Sequence, residues 1–265
     1  MSYKSESLIL NCLHQLPVES PKIIIENSGN IHLKYELEKK FNNTSCYVMK
    51  ENLGYGTAAN YGIKKTKTKY VFTITPDVTL DLKKFTEIIN TLKKERFSIA
   101  GFLETRDNFI SKKNTVLEKN FVKGFAMILN KKKIRNFFDE NFFLYLEEVD
   151  LCKRVKNNNG RIVLANIKIS HLGGASHGNK FDLEIEKSRN WHWMWSKFYF
   201  NRKHYSYFYA ILVTLPNFVS SVIKSVLYKI LNEEKKYEKY RMRLNGLLNS
   251  YFKKKSFYRP YGKID

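Results

Sequence analysis

Short apolar runs alternate with stretches of helical periodicity through the first two thirds of the chain. Runs of four or more residues rich in apolar and β-branched types predict buried strands. Between some of them, apolar residues recur every three to four positions, which predicts amphipathic helices. The predicted strands are 22–25, 46–49, 70–74, 97–103, 121–129 and 162–169, and the predicted helices between them are 56–65 and 82–94.

This alternation predicts a domain of the α/β class, in which a mostly parallel sheet is flanked by helices on both faces. Ligands of such domains bind beside the carboxyl ends of the strands. Polar residues that directly follow the predicted strands are therefore the candidates for a functional site. We assign residues 1–182 to this domain.

The pattern changes after His171. Residues 183–202 have the apolar spacing of a helix, and 19 residues without a charge follow at 205–223. That length is near the lower limit for a membrane span, and Pro216 interrupts it. We predict two short helices that dip into a membrane interface, within a basic, aromatic-rich helical region at 183–265. A true span and ordinary packing against the first domain are the alternatives.

The composition predicts a folded protein with an anionic partner. Hydrophobic residues make up 43% of the 265 residues, and the net charge is +22. From Lys197 onward there are 15 Lys and Arg against 4 Asp and Glu. A basic tail interleaved with Tyr and Phe favours an anionic membrane surface, and a solvated lysine-rich surface is the alternative. The charge would also suit nucleic acid, but no recognised nucleic-acid motif is present, so we expect no such partner.

The cysteines and the first residues of the chain indicate the cellular compartment of the protein. Cys12, Cys46 and Cys152 are scattered and lack the spacing of a zinc site or a disulfide framework. The first residues are polar and do not resemble a signal peptide. We therefore expect a cytoplasmic protein, peripheral at the inner face of the cell membrane.

Two strand ends carry residues that could bind a metal ion. Asp77 follows the predicted strand at 70–74, and a hard divalent cation prefers carboxylate oxygen. Such a cation can bridge the diphosphate of a nucleotide. His171 follows the strand at 162–169 and could supply a nitrogen ligand to the same ion. The alternatives are a turn or helix cap at Asp77 and a structural histidine.

A glycine-bearing segment at residues 52–62 lies between a predicted strand and a predicted helix. Glycines there let the backbone approach a ligand closely, and the helix start offers free N–H groups to anions. The segment is neither a Walker loop nor a dinucleotide fingerprint. The alternative is a glycine turn whose small residues allow tight helix packing.

Three carboxylates crowd a predicted helix start at Glu147, Glu148 and Asp150. One of them could be a general base that removes a proton from an acceptor hydroxyl. Like charges close together would raise one pKa toward a useful value. The alternative is structural, because acids are stabilised at a helix start and Asp150 can pair with Arg154.

Together and in this order, the motifs resemble the family-2 inverting glycosyltransferases with the GT-A fold, in particular their rhamnosyltransferase-like branch. That branch carries N-x-G-[YF]-x-x-A-x-N-x-G, a strand ending in [ND]-P-D-V, a G-x-A strand, F-D-E-x-F-F-x-Y-x-E-[DE]-x-D-L, and a His with nearby glycines. The corresponding segments here are 52–62, 75–78, 124–126, 138–151 and 171–174, and the likeness covers roughly residues 3 to 250.

The resemblance implies roles for these residues. Asp77 and His171 would bind Mg²⁺ or Mn²⁺, and Glu148 would be the catalytic base, with Glu147 as the alternative. The donor would be a dTDP- or UDP-sugar, with dTDP-rhamnose first, and the acceptor a lipid-linked or cell-surface glycan. The residues expected to bind the nucleotide sugar are Glu26, Asn27, Asn52, Gly54, Asn60 and Gly124.

Two departures from the family pattern bear on activity. Thr75 replaces the usual Asn or Asp before Pro76. The family also opens with a buried strand whose end matches Tyr3-Lys4, so that strand is absent from this sequence. We expect an earlier start, a fold that compensates, or a chain without activity. The rival functions are therefore a catalytically impaired nucleotide-sugar-binding homologue and, from another class, a basic nucleic-acid-binding protein.

The whole interpretation depends on one spatial expectation. Asp77, His171 and the pair Glu147 and Glu148 should surround a single cleft, with residues 52–62 forming its wall.

Overall fold

The computed structural model describes residues 1–108, 115–172 and 183–261. The chain divides into two compact units. The first comprises Met1–Asp139 with Glu148–Lys180, and the second comprises Glu140–Glu147 with Phe181–Asp265. The segment Glu140–Glu147 thus belongs with the second unit, although the sequence pattern assigned it to the first domain.

The first unit is an α/β domain, as predicted. Its elements are α1 (Glu6–His14), β1 (Lys22–Glu26), α2 (Ile31–Lys40), β2 (Thr44–Val48), α3 (Gly54–Lys65), β3 (Tyr70–Ile74), β4 (Val78–Thr79), α4 (Leu82–Leu92), β5 (Ile99–Glu104), β6 (Val116–Glu118), β7 (Ala126–Asn130), α5 (Glu147–Asn157) and β8 (Ile162–His171). The first residue of α5, Glu147, is also the last residue of the segment Glu140–Glu147, which we call the inserted segment because it belongs to the second unit.

The larger sheet is mixed rather than mostly parallel. Its strand order is β3-β7-β5-β8-β4, and β6 also pairs with β8. Only β5 and β8 run parallel within it, whereas β7 is antiparallel to β3 and β5, and β4 and β6 are antiparallel to β8. β1 and β2 form a separate parallel pair. An apolar run predicts a buried strand but not its direction, which explains the difference.

Two apolar clusters cover the two faces of the larger sheet. Ile99 and Leu103 of β5 pack in one cluster with residues of α3 and α5. Ala100 and Phe102 of the same strand pack in the other cluster with residues of α4. Successive side chains of a strand point to opposite faces, so β5 is buried on both and its six residues are all buried.

The predicted strand at 121–129 is wrong in its first half, because β7 begins at Ala126. The preceding residues leave the sheet for other partners. The Gly124 carbonyl accepts a hydrogen bond from the Tyr55 hydroxyl at 2.6 Å. Val122 packs under Gly101, where an added Cβ would come within 2.3 Å of it.

The second unit contains three long helices, α6 (Leu183–His204), α7 (Tyr207–Ile230) and α8 (Glu234–Tyr251). The prediction of two short helices at 205–223 is wrong, since α7 continues through Pro216. A proline removes one helical hydrogen bond, but packing supplies most of the stability of a helix in a protein. The residues of α7 that are buried against its neighbours are Ala210, Thr214, Ser221 and Ser225.

The remaining surface of α7 is apolar and exposed. The helix is long and apolar enough to cross a membrane, and 22% of its most apolar window is buried. Large apolar side chains exposed along it include Phe208, Leu212, Leu215, Val219, Ile223, Val226 and Ile230.

The tryptophans of α6 hold that helix against α8. Trp191 and Trp195 are buried, whereas Trp193 is 40% exposed. The Trp191 ring nitrogen donates a hydrogen bond to Asn245 at 2.7 Å. Gly246 lies directly against the Trp191 backbone, because an added Cβ would meet the Trp191 carbonyl oxygen at 2.3 Å.

Gly246→Ala should therefore destabilise the protein, since the new methyl group must push α8 away from α6. Overpacking of this kind costs about 1–3 kcal/mol. Urea unfolding measures the loss. Gly62→Ala is the matched control, because its Cβ would meet Ile25 at an ordinary 3.4 Å. Equal stability of the two variants would contradict this description of the α6–α8 contact.

Candidate active site

Asp77 and His171 are brought together by a two-residue strand pairing. Val78 of β4 is the partner of His171 at the end of β8, and the Leu172 N–H donates to the Asp77 carbonyl at 3.3 Å. This pairing places His171 Nε2 3.3 Å from Asp77 Oδ2. Two residues that are 94 positions apart thus form one polar pair at the end of the sheet.

The Asp77 carboxylate is buried and ionised. Burial raises its pKa, but hydrogen bonds from His171 and the Thr75 side chain outweigh that effect and hold the pKa below its usual range. Thr75, whose replacement of Asn or Asp was a departure from the family pattern, is therefore a direct partner of Asp77. The Thr75 N–H donates to the Phe125 carbonyl at 3.0 Å, which fixes this turn to the start of β7.

His171 has two further neighbours. The Phe125 ring stacks on the imidazole with ring centroids 4.7 Å apart. Glu104 Oε1, at the end of β5, lies 3.7 Å from His171 Nδ1, a charge-pair distance longer than a hydrogen bond. The imidazole therefore lies over an aromatic ring with a carboxylate facing each of its two nitrogens.

Glu104 is itself held by cations. Arg106 and Lys123 form ion pairs with its carboxylate, and Lys123 also binds Asp107 at 2.9 Å. Burial raises the pKa of Glu104, but these two cations lower it below the usual range. Glu104 is thus a negative charge beside His171 at neutral pH.

Glu148 lies at the start of α5 against Gly124. A Cβ added to Gly124 would meet Cβ and Cγ of Glu148 at 3.3 Å, so the glycine gives this side chain its room. Burial raises the pKa of Glu148, and the N–H groups of the first helical turn only partly offset that shift. Since Gly124 precedes Phe125, the same two residues contact Glu148 and His171.

Glu147, the alternative base, ends the inserted segment of the second unit and is buried. The two residues before it, Tyr145 and Leu146, have φ values of 71° and 67°. Left-handed backbone is strained for such side chains and persists only where packing imposes it. Within the second unit, Ser196 donates to the Leu144 carbonyl at 2.8 Å and Trp193 packs edge-on against Tyr145.

Asp150, the third acid at this helix start, has the structural role that was the alternative to catalysis, namely an ion pair with Arg154. Its buried carboxylate pairs with Arg154 at 2.8 Å. Arg154 also donates to the carbonyls of Asn136 and Phe137. The pair therefore ties α5 to the preceding loop.

At the end of β1, Glu26 and Asn27 differ in what they can offer a ligand. The Glu26 carboxylate accepts hydrogen bonds from the N–H groups of Ser28 and Asn30, at 2.9 and 2.7 Å, and so closes its own loop. Asn27 donates to the Gly54 carbonyl at 3.3 Å. Its side-chain oxygen is buried without a hydrogen-bond partner among the described residues, which makes Asn27 the better candidate for ligand binding.

Within residues 52–62, the two asparagines hold the backbone. Asn52 accepts from the Gly54 N–H at 3.0 Å, and Gly54, with φ of 76°, begins α3. Asn60 donates to the Phe138 carbonyl at 2.8 Å and accepts from the Phe138 N–H at 3.0 Å. This gives Asn60 a structural role, and its contact with a nucleotide stays a prediction.

The structure therefore links Asp77, His171, Gly124 and Glu148 through adjacent residues of the first unit. Tyr55 joins the glycine-bearing segment to this group through its bond to Gly124. Tyr55, Glu104 and Phe125 were not singled out from the sequence. Glu104 directly follows the predicted strand at 97–103, so the rule that ligands bind at strand ends could have found it. Residues 173 and 174, the glycines after His171, lie outside the described residues.

The fold of the first unit is of the GT-A type. Residues 2–152, more than half of the chain, match the sequence profile of Glycosyl transferase family 2, and the chain belongs to that family. No curated protein is significantly similar in sequence.

Solved structures share the fold at low sequence identity. One is the mannosyltransferase PcManGT from Pyrobaculum calidifontis in complex with GDP-Man and Mn²⁺, with a TM-score of 0.55, 10% identity, and coverage of 95% of this chain and 84% of that chain. Another is S. aureus TarS 1–349 in complex with UDP-GlcNAc, with a TM-score of 0.52, 11% identity, and coverage of 97% and 91%. At this identity they show the fold alone.

Asn60→Ala should destabilise the protein by about 2 kcal/mol or more, because it leaves both backbone groups of Phe138 buried without partners. Urea unfolding measures the change. Asn90→Ala is the control, since the Asn90 side chain is exposed and accepts a surface hydrogen bond from Lys93. A fully stable Asn60→Ala with weakened nucleotide binding would instead assign this residue to the ligand.

Proposed function

We propose that this chain transfers a sugar from a nucleotide-diphosphate sugar to an acceptor hydroxyl with inversion at the anomeric carbon. The observation that carries the proposal is the continuous group around Phe125 and Gly124. Phe125 stacks on His171 of the Asp77–His171 pair, and the adjacent Gly124 lies against Glu148. A diphosphate site beside a base is what such a transfer needs.

The Asp77–His171 pair suits a divalent metal that is shared with a substrate. Among residues 1–108, 115–172 and 183–261, no three His, Cys, Asp or Glu side chains cluster closely enough to hold a metal by themselves. Mg²⁺ in particular is commonly held by one or two carboxylates together with substrate phosphates. Mg²⁺ or Mn²⁺ on these two side chains would neutralise the negative charge of the departing diphosphate.

The neighbours of His171 would prepare it as a ligand. To bind a metal, the ring would carry its proton on Nδ1, facing Glu104, and would offer the metal the Nε2 atom that otherwise donates to Asp77. A carboxylate that accepts the second N–H of a metal-binding histidine fixes its tautomer and orientation. Phe125, stacked on the imidazole, restricts its rotation.

Glu148 is the proposed base. Its raised pKa makes it a better proton acceptor than an ordinary surface carboxylate. As the acceptor oxygen forms its bond to the anomeric carbon, the bond to the diphosphate oxygen breaks with its electron pair, and Glu148 takes the hydroxyl proton. A single displacement of this kind inverts the configuration. Glu147 remains the alternative base.

The donor assignment rests on the resemblance and on structural neighbours. A dTDP-sugar, dTDP-rhamnose first, or a UDP-sugar is proposed, and neighbours of this fold bind GDP-Man or UDP-GlcNAc. Asn27 and the adjacent Gly54 would contact the nucleotide, because the Asn27 oxygen is buried beside this backbone.

The exposed face of α7 supports a location at the inner surface of the cell membrane. Its large apolar side chains are exposed, and Arg202 and Lys203 precede the helix. Basic residues flanking an exposed apolar helix favour an anionic lipid surface. A lipid-linked or cell-surface glycan intermediate is the acceptor that this location suits, and nucleic acid is not a proposed partner.

A catalytically impaired homologue that only binds nucleotide sugars is the second candidate. The observation that favours it is the separation of the sheet into two parts between β1 and β3. Donor binding in calorimetry without product formation would select it.

Glu148→Gln should lower the transfer rate by ~10²–10⁴-fold while the protein stays folded, because the acceptor hydroxyl loses its base. Asp77→Ala should abolish turnover, because the diphosphate loses its metal ligand. A radiolabelled-donor assay against a panel of nucleotide sugars measures both. The matched control is Glu147→Gln, which removes the same charge at the adjacent position and should remain active if Glu148 is the base, whereas loss of activity in this variant alone would assign the base to Glu147.

The pH dependence gives a second readout. The base works only when ionised, so the rate should fall as the pH drops through the Glu148 pKa, which lies above the ordinary carboxyl value. Glu148→Gln should remove this acidic limb. Parental rates in Glu148→Gln or Asp77→Ala would refute the assignment.

Leu212→Glu combined with Ile223→Glu should weaken binding to phosphatidylglycerol-containing vesicles at least ~10-fold, because both side chains are exposed on the apolar face of α7. Vesicle flotation measures the bound fraction. Leu82→Glu changes an equally exposed leucine of the first unit and should leave binding unaltered. Equal binding by all three proteins would place the membrane contact elsewhere.

A further inference from the structure

Two tyrosine rings stack on each other between α7 and α8. The ring centroids of Tyr228 and Tyr240 are 5.6 Å apart, and the ring planes differ by 16°. The pair lies near the turn that joins the two helices, where the Glu233 N–H donates to the Tyr228 carbonyl at 2.9 Å. Both tyrosines are partly exposed, so they form a small aromatic surface that solvent reaches.

Four basic side chains surround this tyrosine pair, and we call them the basic cluster. Each has its Lys Nζ or Arg Cζ atom 5.1 to 5.8 Å from the centroid of one of the two rings. The face of an aromatic ring carries partial negative charge and attracts cations at this distance. The members of the cluster are Lys224, Lys236, Lys239 and Arg243.

The charge of the basic cluster is poorly neutralised. Lys236 pairs with Glu233 at 3.0 Å. Within the part of the chain that the structure describes, Lys224 and Lys239 contact the Tyr240 ring but form no ion pair. Like charges repel one another, so an anion bound among these side chains would stabilise their arrangement. A phosphate group suits this position, because Lys and Arg both form charge-assisted hydrogen bonds with its oxygens.

Exposed apolar residues adjoin the basic cluster. Leu227 and Leu231 follow Lys224 by three and seven positions, which places the three side chains on one side of α7 and its end. The two leucines are 45% and 56% exposed. Ile223 and Ile230, each three or four positions from Leu227, continue this surface and are 60% and 73% exposed. Cationic and apolar groups therefore lie side by side.

This combination matches the chemistry of an anionic phospholipid, in which a phosphate lies next to apolar acyl chains. Tyrosine is enriched at membrane interfaces, because its ring is apolar and its hydroxyl is polar. Lysine can lay its stem along an apolar surface and keep its charge among the headgroups. A soluble phosphate compound would contact the cations but would leave the leucines in water.

We propose that the basic cluster binds the phosphate of an anionic phospholipid headgroup, with Leu227 and Leu231 against the acyl chains. This inference deepens the proposed location at the membrane and rests on that part of the proposed function. Arg202 and Lys203 precede the other end of α7, so basic residues flank its exposed apolar face at both ends. That arrangement suits a helix that lies along a lipid surface.

The test removes the two charges of the cluster that have no ion pair. Lys224→Gln combined with Lys239→Gln should weaken binding to phosphatidylglycerol-containing vesicles at least ~10-fold, measured by vesicle flotation. On vesicles of phosphatidylcholine alone, which carry no net charge, this double variant and the parent chain should bind equally. Lys224→Arg combined with Lys239→Arg keeps both charges and should restore binding. Circular dichroism should show the same helix content in all variants.

Lys254→Gln combined with Lys255→Gln is the matched control, because it removes two exposed charges of the same unit outside the basic cluster. This control should keep most of the vesicle binding. Equal losses in the two glutamine variants would indicate a diffuse attraction and overturn the proposed site, while the membrane location would stand. Absence of vesicle binding by the parent chain would refute the location and the site together.

Two further measurements separate the headgroup from other phosphates. Inorganic phosphate added at constant ionic strength should not release the parent chain from the vesicles, and release would assign the cluster to a soluble phosphate compound. The same glutamine variant should bind a poly-uridine oligonucleotide no differently from the parent chain. Loss of oligonucleotide binding with vesicle binding intact would overturn the proposal in favour of nucleic acid.

Discussion

The pairing of β4 with the end of β8 is the constraint on which the candidate site depends. Two residues, Val78 and Thr79, form the whole of β4, yet their register opposite His171 and Ser170 brings the preceding Asp77 to the imidazole. Each member of the resulting pair is weak as a ligand by itself. Together they offer oxygen and nitrogen donors at one point at the edge of the sheet, a combination that the proposed divalent metal could share with a substrate.

The Gly124-Phe125 dipeptide extends this pair into a site. It connects three segments that are far apart in sequence: the Phe125 ring lies on His171, Gly124 makes room for Glu148, and the Gly124 carbonyl binds Tyr55. The pKa values of the two carboxylates connected through this dipeptide are shifted in opposite directions. Hydrogen bonds lower the pKa of Asp77, whereas burial raises that of Glu148. One carboxylate is thus held as an anion, and the other has a raised affinity for a proton.

Sequence patterns predicted the parts of this arrangement that depend on local chemistry. The strand-end rule found Asp77 and His171, and the crowded acids marked the start of α5 at Glu147. Strand directions were not predictable, because an apolar run such as β7 has no directional signal. A two-residue strand such as β4 lacks any periodicity to detect. The continuity of α7 through Pro216 depends on packing against neighbouring helices, which a local pattern does not contain.

The most direct test of the central claim is a double-mutant cycle on Mn²⁺ binding, followed by the electron paramagnetic resonance of the free ion. If Asp77 and His171 hold the same ion, Asp77→Asn and His171→Ala should each weaken Mn²⁺ binding strongly. The double variant should lose little more Mn²⁺ affinity than the single variant with the larger loss. Unchanged Mn²⁺ affinity in either single variant, or losses that simply add, would contradict a shared site.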